Sequence, residues 1–495
     1  MPKRLALLLA FLPAIPLYAS TALGSIFPAA NAILIESAEQ AESSRQSPSE
    51  VEEEKRRFLK AVAAYRDKRF AEALGELRWL LSTSPESFDV NELAGLVHVA
   101  LGEDDKANPY LARAVRLNPR SAPARTTLAT NLMRLHRSSE AEAQFRKAVE
   151  LDPSGYDANH NLGEYYIQSA KLTDGVPYLR RAQQIDPKAY NNGYDLAVAL
   201  LRTDKIDEAR RQIQDLLKLQ NTAELHSLLG EVEEKAKNYV VSAQQYELAA
   251  HMDPSESNIF NWGAELLLHQ TMDPAIEVFK TGVQRYPHSA RLYIGLGIAY
   301  YGRGHFDEGA EAFCQAADLL PTDPLPYTFL GKASQDVSPA MADQVRAKLR
   351  HYMELAPRDA AAHYYYALSL WHRDRNQQGA AQLTQVESLL KSALRLNPKY
   401  VDAYLQLGLL YAGQRNYAAA IDQYTRALKI DPNIADAHYR LGQALARTGE
   451  TARAQQEFAA FERLHKQQVA ETDKQRDEIQ LFVYTLRSAE GTGRP

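Results

Sequence analysis

Two histidines, three consecutive tyrosines and a tryptophan fall within ten residues at "HYYYALSLWH", His363 to His372. Imidazoles ligate metals and move protons, while tyrosine and tryptophan stack on bases or grip apolar side chains. The thirteen histidines include no HExxH and no second histidine four residues on, the fixed separation that paired metal ligands on a helix need. His160 and His438 fall on helices and His288 follows a proline, positions that read as surface or groove. "GLG" at Gly295 to Gly297 begins like a dinucleotide loop, but Tyr300 stands where the third glycine belongs. Neither GxxxxGK[ST] nor GxSxG occurs. Cys314, the one cysteine, adjoins Phe313 and reads as a small buried thiol; alone it allows no intrachain disulfide, thiolate zinc cluster or CxxC pair. These residues point away from a self-contained enzyme, and no metal, cofactor or small-molecule substrate is expected.

The elements that position these residues come from a repeat. Ten segments, among them "STSP", "RLNP", "ELDP", "QIDP", "HMDP" and "KIDP", end helical runs at Pro85, Pro119, Pro153, Pro187, Pro254, Pro287, Pro321, Pro357, Pro398 and Pro432. The first four are 34 residues apart, as are Pro398 and Pro432, and Asn221 stands where a proline is missing between Pro187 and Pro254. Proline after Asn or Asp stops a helix, because it breaks the hydrogen-bond ladder and biases the preceding residue to extended geometry. In "VDAYLQLGLLYAGQRNYAAAIDQYTRALKIDP", Gly408 lets two helices approach, Ala420 and Ala427 keep the second helix slim, and Tyr424 fills the space beside them. The offsets recur at Leu162, Gly163, Tyr166, Ala182; at Leu296, Gly297, Tyr300, Phe313, Ala316; and at Leu441, Gly442, Leu445, Ala454, Phe458.

This pattern resembles the tetratricopeptide repeat (TPR), a helix-turn-helix unit of 34 residues. The resemblance implies an all-α fold, a right-handed superhelical solenoid of antiparallel helix pairs, with about twelve units over residues 54–466. Each unit leaves an apolar face that only its neighbour can cover. Residues 467–495 are expected to supply a capping helix, with Ile479, Phe482, Val483 and Leu486 at helical spacing, and are too few for an added catalytic domain of ordinary size. Unit nine is two residues longer than the rule, and unit ten carries about seven extra near "RDRNQQGAAQLTQ", either a lengthened turn or a contact loop.

The chain ahead of the repeats differs. Lys3 and Arg4 precede "LALLLAFLPAIPLYA", and no charge follows until Glu36. Residues 1–35 therefore read as a signal peptide or a retained membrane anchor, interrupted by Pro13, Pro16, Gly24 and Pro28. The expected location is exported, periplasmic or secreted, with membrane association through this segment as the alternative. Residues 36–53, rich in Glu, Ser and Gln, read as a flexible linker.

With 57 Lys plus Arg against 62 Asp plus Glu, a formal charge of −5, the chain lacks the basic field that collects nucleic acid. The resemblance implies a concave groove lined by first helices that holds partner segments, with positions 2, 5, 9, 12 and 13 of each unit facing it. Those positions give Glu92, Asp157, His160, Glu164, Glu224, Ser227 and Glu231 in a first part that looks acidic. They give Phe260, Arg291, Ile294, Tyr301, Tyr364, Trp371, His372, Tyr439, Gln443 and Arg447 in a second part that looks aromatic. The residues at the early groove positions, Glu92, Thr126, Thr130, His160 and Glu164, do not match the paired Lys and Asn with which some family members hold a terminal carboxylate. The expected function is a non-catalytic scaffold for protein or peptide segments, with Tyr364 and Trp371 as aromatic anchors. A subunit of an envelope enzyme or transport complex is the alternative; a helical-repeat nucleic-acid binder is disfavoured by the acidity.

Overall fold

The computed structural model describes residues 48–371 and 379–467. The chain is an all-α solenoid of helix pairs, and the described residues divide into two units at Leu228 and Leu229. The first holds α1 (Pro48–Arg66), α2 (Phe70–Thr83), α3 (Phe88–Ala100), α4 (Asp104–Leu117), α5 (Ala122–Arg134), α6 (Ser138–Leu151), α7 (Tyr156–Gln168), α8 (Leu172–Ile185), α9 (Tyr190–Arg202) and α10 (Ile206–Leu219). The boundary falls inside α11 (Ala223–Lys235). The second continues with α12 (Tyr239–Met252), α13 (Glu256–Leu268), α14 (Met272–Arg285), α15 (Ala290–Arg303), α16 (Phe306–Leu319), α17 (Pro324–Ala333) and α18 (Pro339–Leu355). It ends with α19 (Ala360–Leu370), α20 (Ala380–Leu396), α21 (Val401–Gly413), α22 (Tyr417–Ile430), α23 (Ala435–Arg447) and α24 over residues 451–467. No described helix is long and apolar enough to cross a membrane.

The signal or anchor segment, His372 and the capping helix expected after 467 lie outside the described residues. So does most of the linker read over 36–53, but α1 already begins at Pro48, inside that stretch.

Two turns alternate. In ten pairs the turn places one residue in the left-handed region: Lys68, His136, Ala170, Asp204, Lys237, Gln270 and Arg415 adopt it, as do Gly102, Gly304 and Gly449, while the α17–α18 turn has none. Between pairs, the Asp or Asn before proline explains itself: Asp186 Oδ1 accepts from the Lys188 amide at 3.0 Å and Asp431 Oδ1 from Asn433 at 2.9 Å, closing a local turn. Six residues after the proline, a first-helix side chain donates back to the proline carbonyl. Asn91 does so to Pro85 at 2.8 Å, Asn159 to Pro153 at 3.1 Å and Tyr404 to Pro398 at 3.2 Å. His363 Nε2 donates to Pro357 at 2.9 Å and His438 Nε2 to Pro432 at 3.0 Å, so both histidines tie helix to turn.

The core is a string of local clusters. Leu162, Tyr166, Ala182, Phe313, Ala316, Leu407, Tyr424 and Ala427 are all buried, each side chain filling the space its neighbouring glycine or alanine leaves. Cys314 is likewise buried, and burial pushes its thiol up to about 12. Units nine and ten depart from the pattern. Their first helices, α17 and α19, have 10 and 11 residues, and their second helices, α18 and α20, have 17 each against the usual 14. Residues 380–385 of the expected insertion are thus wound into α20, and 372–378 lie outside the described residues.

Candidate functional site

Along α7, Leu162, Gly163 and Tyr166 turn toward neighbouring helices, which leaves Asp157, His160 and Glu164, three and four residues apart, on the opposite stripe. The same division on α3, α5 and α9 produces a cavity of about 440 Å³ in the first unit. Glu92 comes from α3, Thr130 and Arg134 from α5, His160 and Glu164 from α7, and Tyr190 from α9. Four residues expected at the groove, Glu92, Asp157, His160 and Glu164, are brought together here.

Two devices fix His160. Its ring stacks on Tyr156 with centroids 5.4 Å apart, and its Nδ1 lies 3.1 Å from Asn192 Oδ1. Asn192 is fully buried and its amide donates to Leu179 O and Gln183 Oε1, so its oxygen accepts and His160 Nδ1 is the donor. Nε2 is left toward Glu164 at 3.9 Å.

Carboxylates outnumber cations on this face: Glu92, Asp152, Asp157, Glu164 and Asp186 line it against Arg134. Glu92 is 7% exposed and has no ion pair among the described residues; burial, aided by Asp89, pushes its carboxyl up to about 7. Asp195 on α9 is pushed up to about 7 by burial, then by the charges of Glu164 and Glu224. The nearby cation, Arg134, pairs with Asp104 at 3.3 Å. Glu142 on the second helix α6 shows the contrast. Burial raises it as well, but hydrogen bonds from Lys171, Arg146, Tyr165 and Tyr166 outweigh this and hold it at about 2.

The aromatic part of the expected groove requires correction. Tyr301, Tyr364 and Trp371 are 7%, 6% and 8% exposed, and none presents an open face for a partner. Tyr301 donates its hydroxyl to Asp336 and meets Phe306 edge-on. Tyr364 lies between Tyr365 and Tyr400, with centroids 5.2 and 4.9 Å away. Trp371 caps the shortened α19, and its carbonyl accepts from Gln335 Nε2 at 3.1 Å. Each of the three is covered by a side chain of an adjoining unit, Asp336, Tyr400 and Gln335 respectively, so these positions face packing. Tyr439, 39% exposed, stands against Phe461, and Gln443 and Arg447 are exposed on the same helix. Glu231 is half-buried on α11.

Sequence reasoning passed over Tyr156 and Tyr190, although both open a first helix one 34-residue repeat apart, a register signal that was available. It also passed over Glu234, Glu265 and His269, whose ligand atoms lie within 4.8 Å of one another. The i, i+4 pair Glu265 and His269, at the C-terminal end of α13, was legible, but a search for paired histidines does not find it.

Tetratricopeptide repeat models match residues 58–122, 126–190, 166–232 and 273–324, and a TPR repeat model matches 414–449. The chain is a tetratricopeptide repeat protein. Superkiller complex protein 3 of Mus musculus is 23% identical to it over 246 residues, 48% of this chain and 15% of that protein. Protein O-mannosyl-transferase TMTC3 of Mus musculus is 22% identical over 184 residues, 35% of this chain and 20% of that protein. BBSome complex member BBS4 of Bos taurus is 23% identical over 232 residues, 46% of this chain and 43% of that protein. The match thus spans less than half the length of each of these relatives. Among solved structures, Naa15/Naa10 bound to HypK-THB is similar at a TM-score of 0.38 and 15% identity, covering 88% of this TPR chain and 78% of that one. YrrB, a TPR protein with an unusual peptide-binding site, is similar at 0.35 and 16%, covering 37% and 94%.

Proposed function

We propose that this TPR protein is a non-catalytic docking scaffold whose first unit holds a positively charged segment of a partner protein along α3, α5, α7 and α9. The observation that carries this reading is Glu92, buried on the cavity wall, pushed up to about 7 and without an ion pair among the described residues. A guanidinium or ammonium entering there supplies the missing countercharge. At 4 Å a full charge pair gains on the order of 4 kcal/mol in a partly screened protein environment, before desolvation is subtracted. The rings of Tyr156 and Tyr190 beside the carboxylates suit a cation's apolar stem and face. Nucleic acid fits poorly, since phosphate contacts need Lys and Arg where this wall carries Glu and Asp.

Residues 1–35 are proposed to carry the chain out of the cytoplasm, which makes an envelope or secreted protein the expected partner. Membership of an envelope complex is a special case, recognised by co-purification with a catalytic subunit.

The test is fluorescence anisotropy with labelled twelve-residue peptides that are Arg-rich, neutral or Glu-rich. The Arg-rich peptide is expected to bind, to weaken as salt rises, and to lose about tenfold or more when Glu92→Gln and Glu164→Gln are combined. Equal binding of all three peptides, or preference for the Glu-rich one, sinks the reading.

A further inference from the structure

In the second unit, the C-terminal turn of α11 and the C-terminal end of α13 with its cap residue His269 bring three side chains to one point. His269 Nε2 lies 3.2 Å from Glu234 Oε2 and 3.4 Å from Glu265 Oε1. Glu265 is 2% exposed, and its Oε1 accepts no hydrogen bond although it faces the imidazole. A buried carboxylate oxygen left without a hydrogen bond costs free energy unless another charge faces it. Nε2 bonds Glu234 at 3.2 Å, which leaves Glu265 Oε1 buried beside the ring without a hydrogen bond of its own.

We propose that Glu234, Glu265 and His269 form a binding site for a single divalent transition-metal ion of the zinc class. Metal bonds of about 2.0–2.1 Å in a tetrahedron set neighbouring ligand atoms about 3.3 Å apart, and the N···O distances of 3.2 and 3.4 Å bracket that value. One imidazole with two carboxylates is a ligand set suited to Zn²⁺ or Co²⁺. Glu265 on α13 and His269, the residue that caps its C-terminus, are four residues apart and present two ligands to one side. Glu234, 31% exposed, opens the site to solvent, so water completes the shell and the ion has an entry path. The ring of Tyr239, 4.4 Å from that of His269, holds the imidazole from the side.

The site is tested on the full chain after chelator treatment, by titration calorimetry with ZnCl₂ and by the visible absorption of Co²⁺. The expected result is one Zn²⁺ per chain, tetrahedral-type Co²⁺ bands, and a melting temperature raised by Zn²⁺. Glu234→Gln changes a surface-accessible ligand and is expected to keep the chelator-treated melting temperature while losing at least tenfold in Zn²⁺ affinity. His269→Ala is expected to abolish the Co²⁺ bands. Unchanged Zn²⁺ affinity in Glu234→Gln, or the absence of one-to-one binding in the unsubstituted chain, overturns the assignment.

Discussion

Gly408 lies against the ring of Tyr424 so closely that a Cβ on the glycine would stand 2.4 Å from Tyr424 Cε1. The same sixteen-residue pairing sets Gly163 against Leu179 and Gly297 against Phe313, at 2.6 and 2.4 Å. The signature glycine is therefore a packing residue, and the bulk it admits comes from the second helix of its own unit.

Gly408→Ala is accordingly expected to destabilise the protein by about 1–3 kcal/mol through overpacking. Urea unfolding measures this. In a Tyr424→Leu background the same substitution should cost less, since the two residues share one space; an undiminished cost would contradict the pairing.

The turn inside each pair makes a second prediction. Gln270 and Arg415 hold φ of 55° and 59°, where a side chain is strained by about 1–2 kcal/mol. Gln270→Gly and Arg415→Gly should each stabilise by about 0.5–1 kcal/mol once glycine's greater unfolded entropy is subtracted. Gly304→Ala, at φ 92°, should do the reverse in the same thermal melt.

Tyr364 and Trp371 are expected to report on stability. Tyr364→Ala or Trp371→Ala should cost about 3–5 kcal/mol, the range for removing a buried aromatic. Tyr439→Ala, at a site 39% exposed, should stay within about 1 kcal/mol. Denaturation midpoints separate the two groups.

Much of the helical array was legible because its determinants are local. Pro153 and Pro187 stop helices whatever lies around them, and Gly163 and Tyr166 keep fixed offsets within one hairpin. The side chain of Tyr364 was misplaced for the opposite reason. Its surroundings depend on Tyr400, thirty-six residues on, and on how units nine and ten lengthen their second helices, which no single repeat encodes. The acidic stripe through His160 and Glu164 was visible as a register. That Glu92 is buried deeply enough to hold its proton near neutral pH is a property of the assembled wall, beyond what its position in the repeat reveals.

Glu92 also fixes the sign of a pH effect. Its folded carboxyl is raised to about 7 from an unfolded value of 4.5, so between those limits the folded chain holds the extra proton. Stability from this group is therefore intact below pH 4.5 and falls as pH rises toward 7. Glu92→Gln should stabilise by about 1–3 kcal/mol at pH 8 and by much less at pH 5. Thermal melts at the two pH values check it, and an equal effect at both would show that the carboxyl is not raised. Binding of a cationic segment should strengthen across the same interval, because the cation needs the ionised form.

Hydrogen–deuterium exchange with and without the Arg-rich peptide tests the central claim most directly. Docking on the proposed wall predicts slowed exchange in α3, α5, α7 and α9, with α4, α6 and α8 unchanged. Protection confined to those second helices, or to the second unit around Tyr439, would contradict it.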